Sequence, residues 1–191
     1  MLIGRLKFLT ILVLLLSAPS AVLSQQATDP ELREVLRAAA SAADSFDDRY
    51  DAEVWLTDMS RRLQRQVRDP DERMRILTRV HHEASIAGLE PELVLAVIDI
   101  ESNFDRYAVS VAGALGLMQV MPFWRNEIGR PDDNLINLET NLRYGCTILK
   151  FYLDKEKGDL RRALGRYNGS LGRRKYPNLV ITRLSEKWFQ G

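Results

Sequence analysis

Glu101 closes a helical apolar stripe. Leu93, Val94, Val97 and Ile98 recur at helical spacing, and Glu101 follows three residues after Ile98 and four after Val97. A carboxyl group that continues a buried face is costly to ionise, because desolvation disfavours its charged form. Such a group keeps its proton near neutral pH, which is what a general acid needs. Asp99 lies about 200° around the same helix and points elsewhere. On the helix alone, the plainer reading is a structural Glu paired with an Arg, or one turned to solvent at a frayed end.

The residues that follow add to the chemical reading. Ser102, Asn103 and Phe104 come directly after Glu101, then Ser110, Gly113, Gly116, Gln119, Met121 and Pro122. The two glycines permit positive φ and close backbone approach, as the wall of a cleft for a polymer requires. Gln119 offers a donor and an acceptor for a sugar amide or hydroxyl. Taken singly, each of these residues is bland.

Two other chemistries fail on residue count. His82-Glu83 begins like a zinc-protease motif, but the second ligand would stand at 86, which is Ile86. Cys146 is the single cysteine, so no intramolecular disulfide forms. It falls on the helical face of Leu142 and Leu149 and reads as a small core residue. The sequence calls for no metal and no cofactor.

Together these residues resemble a known family. Residues 101–122, ESNFDRYAVSVAGALGLMQVMP, resemble the active-site signature of the soluble-type lytic transglycosylases of the lysozyme-like superfamily. Asn137-Leu138-Glu139-Thr140-Asn141-Leu142 through Gly145 resembles the family's later helix, and Arg166-Tyr167-Asn168-Gly169 its Tyr-Asn motif. The resemblance spans residues 73–171. It implies that Glu101 is the lone catalytic acid/base and that Ser110, Gln119, Met121, Tyr167 and Asn168 bind substrate. The implied substrate is the peptidoglycan glycan strand. Its MurNAc–GlcNAc β-1,4 bond would be cut without water, leaving a 1,6-anhydromuramoyl end. One carboxyl group then suffices, although most glycosidases use two. A hydrolase on this fold would need a second carboxylate, with Asp99 or Asp105 as the candidates. The sequence departs from the family at Arg166, where a small residue is usual, and at Gly169-Ser170. Arg166 either points outward or lines the cleft.

The elements that must position these residues are helical, and no stretch alternates convincingly as a strand. The expected fold is mainly α: a lysozyme-like helical domain with little or no β-sheet, plus an N-terminal helical extension. Asp29-Pro30 opens a first helix carrying Leu32, Val35, Leu36 and Ala39. Trp55, Leu56, Met59 and Leu63 mark a second. Residues 72–87 form a third, stopped at Gly88, and Pro91 starts a fourth. The glycine-bearing residues 104–116 read as a long loop. Residues 138–153 are helical again, and Asp159 caps a further helix through Tyr167. The domain division is a signal peptide at 1–24, the extension at 25–70 and the catalytic domain at 71–191.

Arg5, Lys7 and the apolar residues 8–16 form a secretory leader, with cleavage expected before Gln25. The apolar residues 8–23 contain Pro19 and are short for a spanning helix. The leader implies an exported protein without stable membrane insertion after cleavage; the family resemblance implies the periplasm, and a monomer is expected. The chain has 27 basic and 26 acidic residues. It lacks the overall positive field of a nucleic-acid binder. Residues 161–175 hold six basic and no acidic side chains, read as a solvated face or as attraction to anionic wall polymers. Phe123-Trp124 and Trp188-Phe189 are candidate sugar-stacking pairs, with core packing the better reading for at least one.

Overall fold

The computed structural model describes residues 45, 46 and 48–189. The leader and the helix expected from Asp29-Pro30 lie outside the described residues. Among the described residues seven α-helices follow in order: α1 Arg49–Leu63, α2 Pro70–Ala87, α3 Pro91–Glu101, α4 Trp124–Ile128, α5 Leu138–Lys155, α6 Leu160–Tyr167 and α7 Lys175–Arg183. A π-helical turn, Leu184–Trp188, closes the fold. No strand occurs among the described residues. Two isolated antiparallel bridges, Val109–Leu115 and Leu115–Val120, tie the long loop to itself. The mainly α expectation is therefore met.

Local chemistry sets the helix ends. Asp69 accepts a hydrogen bond from the Asp71 amide, and Pro70 fills the first turn of α2, where an amide hydrogen has no helical partner. Gly88 ends α2 with φ 66°, and the Leu89 amide donates to Ala84 O at 2.9 Å. Asn137 caps α5 through the Thr140 amide, and Asp159 caps α6 through the Arg162 amide.

α3 lies at the centre. Val94 to Ile98 are each fully buried, so the helix is enclosed on all sides and not along one stripe. α2, α7 and the π-helical turn pack around it. Each such aliphatic side chain contributes roughly 1.5–3 kcal/mol on burial. A deletion such as Ile98→Ala would cost about 2–5 kcal/mol. Trp55, Leu56, Met59 and Leu63 of α1 join the same core. Buried Arg73 fastens the α1–α2 connection through Ser60 Oγ, Val67 O and Arg68 O. The enclosure of α3 gives its last residue a fixed position.

Candidate active site

α3 stops at Glu101 because the chain reverses at once. Asn103 (φ 51°) and Phe104 (φ 66°) both adopt left-handed backbone, which is uncommon for residues with a Cβ. The Phe104 side chain is buried, with its ring 5.4 Å from that of Trp188. That contact holds the reversal in place and leaves Glu101 at the rim of the core.

The facing wall is the Gly116–Gln119 turn. Buried Asn141 on α5 organises it: its Nδ2 donates to Leu115 O and Leu135 O at 2.8 Å, and its Oδ1 accepts from the Met118 amide at 2.9 Å. Gly116 has φ 71°, and a Cβ there would sit 2.5 Å from Asn141 Nδ2. Gly145, one helical turn after Asn141, gives room to Met118: a Cβ there would approach its Sδ to 2.2 Å. Gln119 itself is left-handed, at φ 47°. Its Nε2 donates to Gly116 O and Ala108 O, at 2.9 and 3.2 Å. The donor half of Gln119 is thus used within the protein, which leaves the amide oxygen as its group for a ligand. Ser110 Oγ accepts from the Ala114 amide at 2.9 Å, so its own O–H is available to donate.

Two carboxylates on α3 meet opposite fates. Asp99 is buried and compensated: Lys187 Nζ and Trp188 Nε1 donate to its Oδ2 at 2.8 and 3.1 Å, Gln66 Nε2 donates to its Oδ1, and Arg183 lies 3.3 Å away. Glu101 has no such set. Burial raises its pKa from 4.5 to about 7, opposed only by one hydrogen bond, from the Tyr176 hydroxyl to Oε1 at 2.6 Å. A carboxyl group in that state exchanges its proton near neutrality. Asp105 accepts from the Tyr107 amide and stays in its loop. Neither Asp99 nor Asp105 faces Glu101's cavity.

That cavity has a volume of about 270 Å³. Glu101, Ser110, Gln119, Met121, Tyr167 and Asn168 all line it, so the fold brings together the six residues for which the family resemblance implies a role. Trp124 and Ile148 complete an apolar side. Tyr167 does not bond Glu101; its hydroxyl donates to Met118 O at 2.7 Å and so braces the facing turn. The tyrosine that reaches Glu101 is Tyr176, which the sequence reading missed. It sits just after Arg173, Arg174 and Lys175 and just before Pro177, in what reads as a basic tail. The usable signal was Tyr176 and Val180 at helical spacing, both buried on α7.

Other expectations resolve around this site. Arg166 pairs with Glu156, as does Arg162, and Arg166 is not among the cavity's lining residues. Arg161 bonds Asn178. Half of the basic run at 161–175 is thereby engaged within the protein. Cys146 is buried, and burial pushes its thiol far up. His81 stacks on Phe46 at 3.5 Å, and Glu83 pairs with Arg79. No group of metal-ligating side chains assembles among the described residues. No helix among them is long and apolar enough to cross a membrane.

A catalytic-type carboxyl group in the cleft of a helical lysozyme-like domain defines the class. The chain belongs to the transglycosylase SLT domain family, which matches residues 80–184. It is 57% identical over 35 residues to the membrane-bound lytic murein transglycosylase C of Actinobacillus pleuropneumoniae serotype 5b (strain L20), over 18% of this chain and 10% of that protein. It is 32% identical over 109 residues to the protein of the same name from Yersinia pestis (strain Pestoides F), over 49% of this chain and 30% of that protein. These matches cover less than a third of either relative. Helix α1 precedes the matched residues.

Proposed function

We propose that the protein is a peptidoglycan lytic transglycosylase of the cell envelope, exported to the periplasm, with Glu101 as its only acid/base. One observation carries this reading: Glu101 is the single carboxyl group lining the cavity among the described residues, and burial pushes it up to about 7. The family and the names of its relatives agree with that activity.

Tyr176 holds Oε1, so Oε2 carries the proton toward the substrate. That proton passes to the oxygen of the MurNAc–GlcNAc bond as the bond to C1 breaks. The carbonyl oxygen of the muramoyl 2-acetamido group closes on C1 and holds the positive charge. Glu101 is now a carboxylate, stabilised by Tyr176. It takes the proton from the C6 hydroxyl of the same sugar, whose oxygen displaces the acetamido oxygen at C1. The products are a 1,6-anhydromuramoyl end and a free GlcNAc 4-hydroxyl. Apolar Trp124, Ile148 and Met121 limit water at the reacting carbon. Ser110 O–H and Gln119 Oε1 are a donor and an acceptor for the sugar substituents.

Clearing of purified sacculi tests the assignment. Glu101→Gln keeps the shape of the cavity and removes the exchangeable proton, so the rate should fall by about 10²- to 10⁴-fold. Clearing at the wild-type rate would overturn the role of Glu101.

A further inference from the structure

Charge is unevenly spread over the last two helices. From residue 160 to residue 185, across α6, α7 and their connection, seven basic side chains occur and no acidic one. Four of the seven are used within the protein. Arg162 and Arg166 hold Glu156, Arg161 bonds Asn178, and Arg183 lies 3.3 Å from Asp99. The other three are consecutive: Arg173, Arg174 and Lys175. All three are exposed, and none of their side chains forms a hydrogen bond or ion pair among the described residues.

Stability does not account for this placement. α1, α2, α5 and α6 each begin on an Asp or Asn that accepts from a helical amide. α7 begins on Arg174, with no side-chain cap and no acidic residue in its first turn. Cations at that end oppose the helix dipole, and neighbouring like charges repel one another. Exposed leucines stand among them: Leu171 is 43% exposed and Leu179 47%. Lys175 and Leu179, four residues apart, share the outer face of α7, while Tyr176 and Val180 carry its buried face. With Ile100 they line a shallow groove of about 640 Å³. Glu186, the groove's one acidic lining residue, stands about three helical turns beyond Lys175.

We propose that Arg173, Arg174 and Lys175, with Leu171 and Leu179, form a docking surface for an anionic phospholipid membrane. The cations meet headgroup phosphates, and the two leucines enter the apolar side of the headgroup layer. A soluble anion would match the cations alone. A bilayer interface takes positive charge and apolar surface together, as this patch offers them. None of the five residues lines the Glu101 cavity. Asn168, three residues before Leu171, does line it, and Tyr176, next to Lys175, bonds Glu101. Docking therefore holds the cleft close to the bilayer without closing it. This contact is independent of what the cavity binds.

Co-sedimentation of the protein, purified after export, with two sets of vesicles tests this: phosphatidylcholine alone, and phosphatidylcholine with phosphatidylglycerol. Binding should require phosphatidylglycerol and weaken as salt screens the charges. Each charge removed should cost roughly fivefold in affinity, so Arg173→Gln, Arg174→Gln and Lys175→Gln together should lose on the order of a hundredfold. Leu171→Ser and Leu179→Ser should weaken binding roughly three- to tenfold each. The melting temperature of the triple Gln variant should hold or rise, because the lost cations oppose the α7 dipole, and its clearing of sacculi should stay at the wild-type rate. Failure of the wild-type protein to bind phosphatidylglycerol vesicles at low salt overturns the proposal. Equal binding to both vesicle sets overturns it too, as does unchanged vesicle affinity in the triple variant. Loss of sacculus binding in that variant, with vesicle affinity intact, assigns the cations to carboxylates of the wall and overturns the membrane as their partner.

Discussion

The hydroxyl of Tyr176 donates to Glu101 Oε1 at 2.6 Å, across a sequence separation of 75 residues. This bond opposes burial, which alone would hold the Glu101 carboxyl still higher. Tyr176 therefore adjusts where the acid/base titrates. Removing the hydroxyl removes stabilisation of the carboxylate and raises the Glu101 pKa. In Tyr176→Phe, the alkaline fall of kcat/KM should move to higher pH, and kcat should fall because the second step needs the carboxylate. A pH–rate profile checks both. A loss of kcat with no movement of the alkaline limb would mean that Tyr176 acts only through packing.

Glu101 should also limit stability at neutral pH. Its carboxyl titrates at 4.5 ordinarily and at about 7 in the fold. Between those values the native state binds more protons than the unfolded chain, so stability falls as pH rises through the window and stays lowered above it. Gln has no such ionisation. Relative to wild type, Glu101→Gln should gain roughly 2–3 kcal/mol at about pH 8 and little at about pH 4. Chemical denaturation at the two pH values measures this. A difference independent of pH contradicts the buried-carboxyl account.

Asp99 provides the contrasting case. It is buried but is held by Lys187, Trp188 and Gln66. Asp99→Asn should cost about 2–3 kcal/mol of stability, because it leaves Lys187 without its carboxylate partner. Activity per folded molecule should stay near wild type. A catalytic loss comparable to that of Glu101→Gln would make Asp99 the second carboxylate of a hydrolase.

The Asn141 brace can be tested in the same way. Asn141→Ala takes the partner from the Leu135 carbonyl and from the Met118 amide, while the Leu115 carbonyl keeps the Val120 amide. Each buried polar group left without a partner costs about 1–3 kcal/mol. Melting temperature should fall sharply. Substrate affinity should fall too, because Gln119 follows that turn directly. Gly116→Ala should act alike, since its Cβ would press on Asn141 at positive φ.

Much of the site was legible before the fold, because helical periodicity carries direction. The position of Glu101 relative to Val97 and Ile98 placed it on the inner side, and the six residues named by the resemblance lie along one cavity. The same periodicity misjudged α3, which reads as one-sided but is enclosed: Leu95 and Ala96 are fully buried as well. Tyr176 was not legible, since the link from α7 to α3 is purely tertiary and basic residues mask the start of α7. Nor was the role of Tyr167 in bracing Met118 O. The two aromatic pairs were indistinguishable by composition, and only packing separates buried Trp188 from exposed Phe123.

In the proposed reaction one carboxyl group, Glu101, acts first as acid and then as base without water. Mass spectrometry of fragments released from purified sacculi by the protein tests this. Anhydro-ended muropeptides, one water lighter than reducing-ended ones, are expected, and they should disappear with Glu101→Gln. Reducing-ended fragments released by the wild-type protein would contradict it, because water would then be the acceptor.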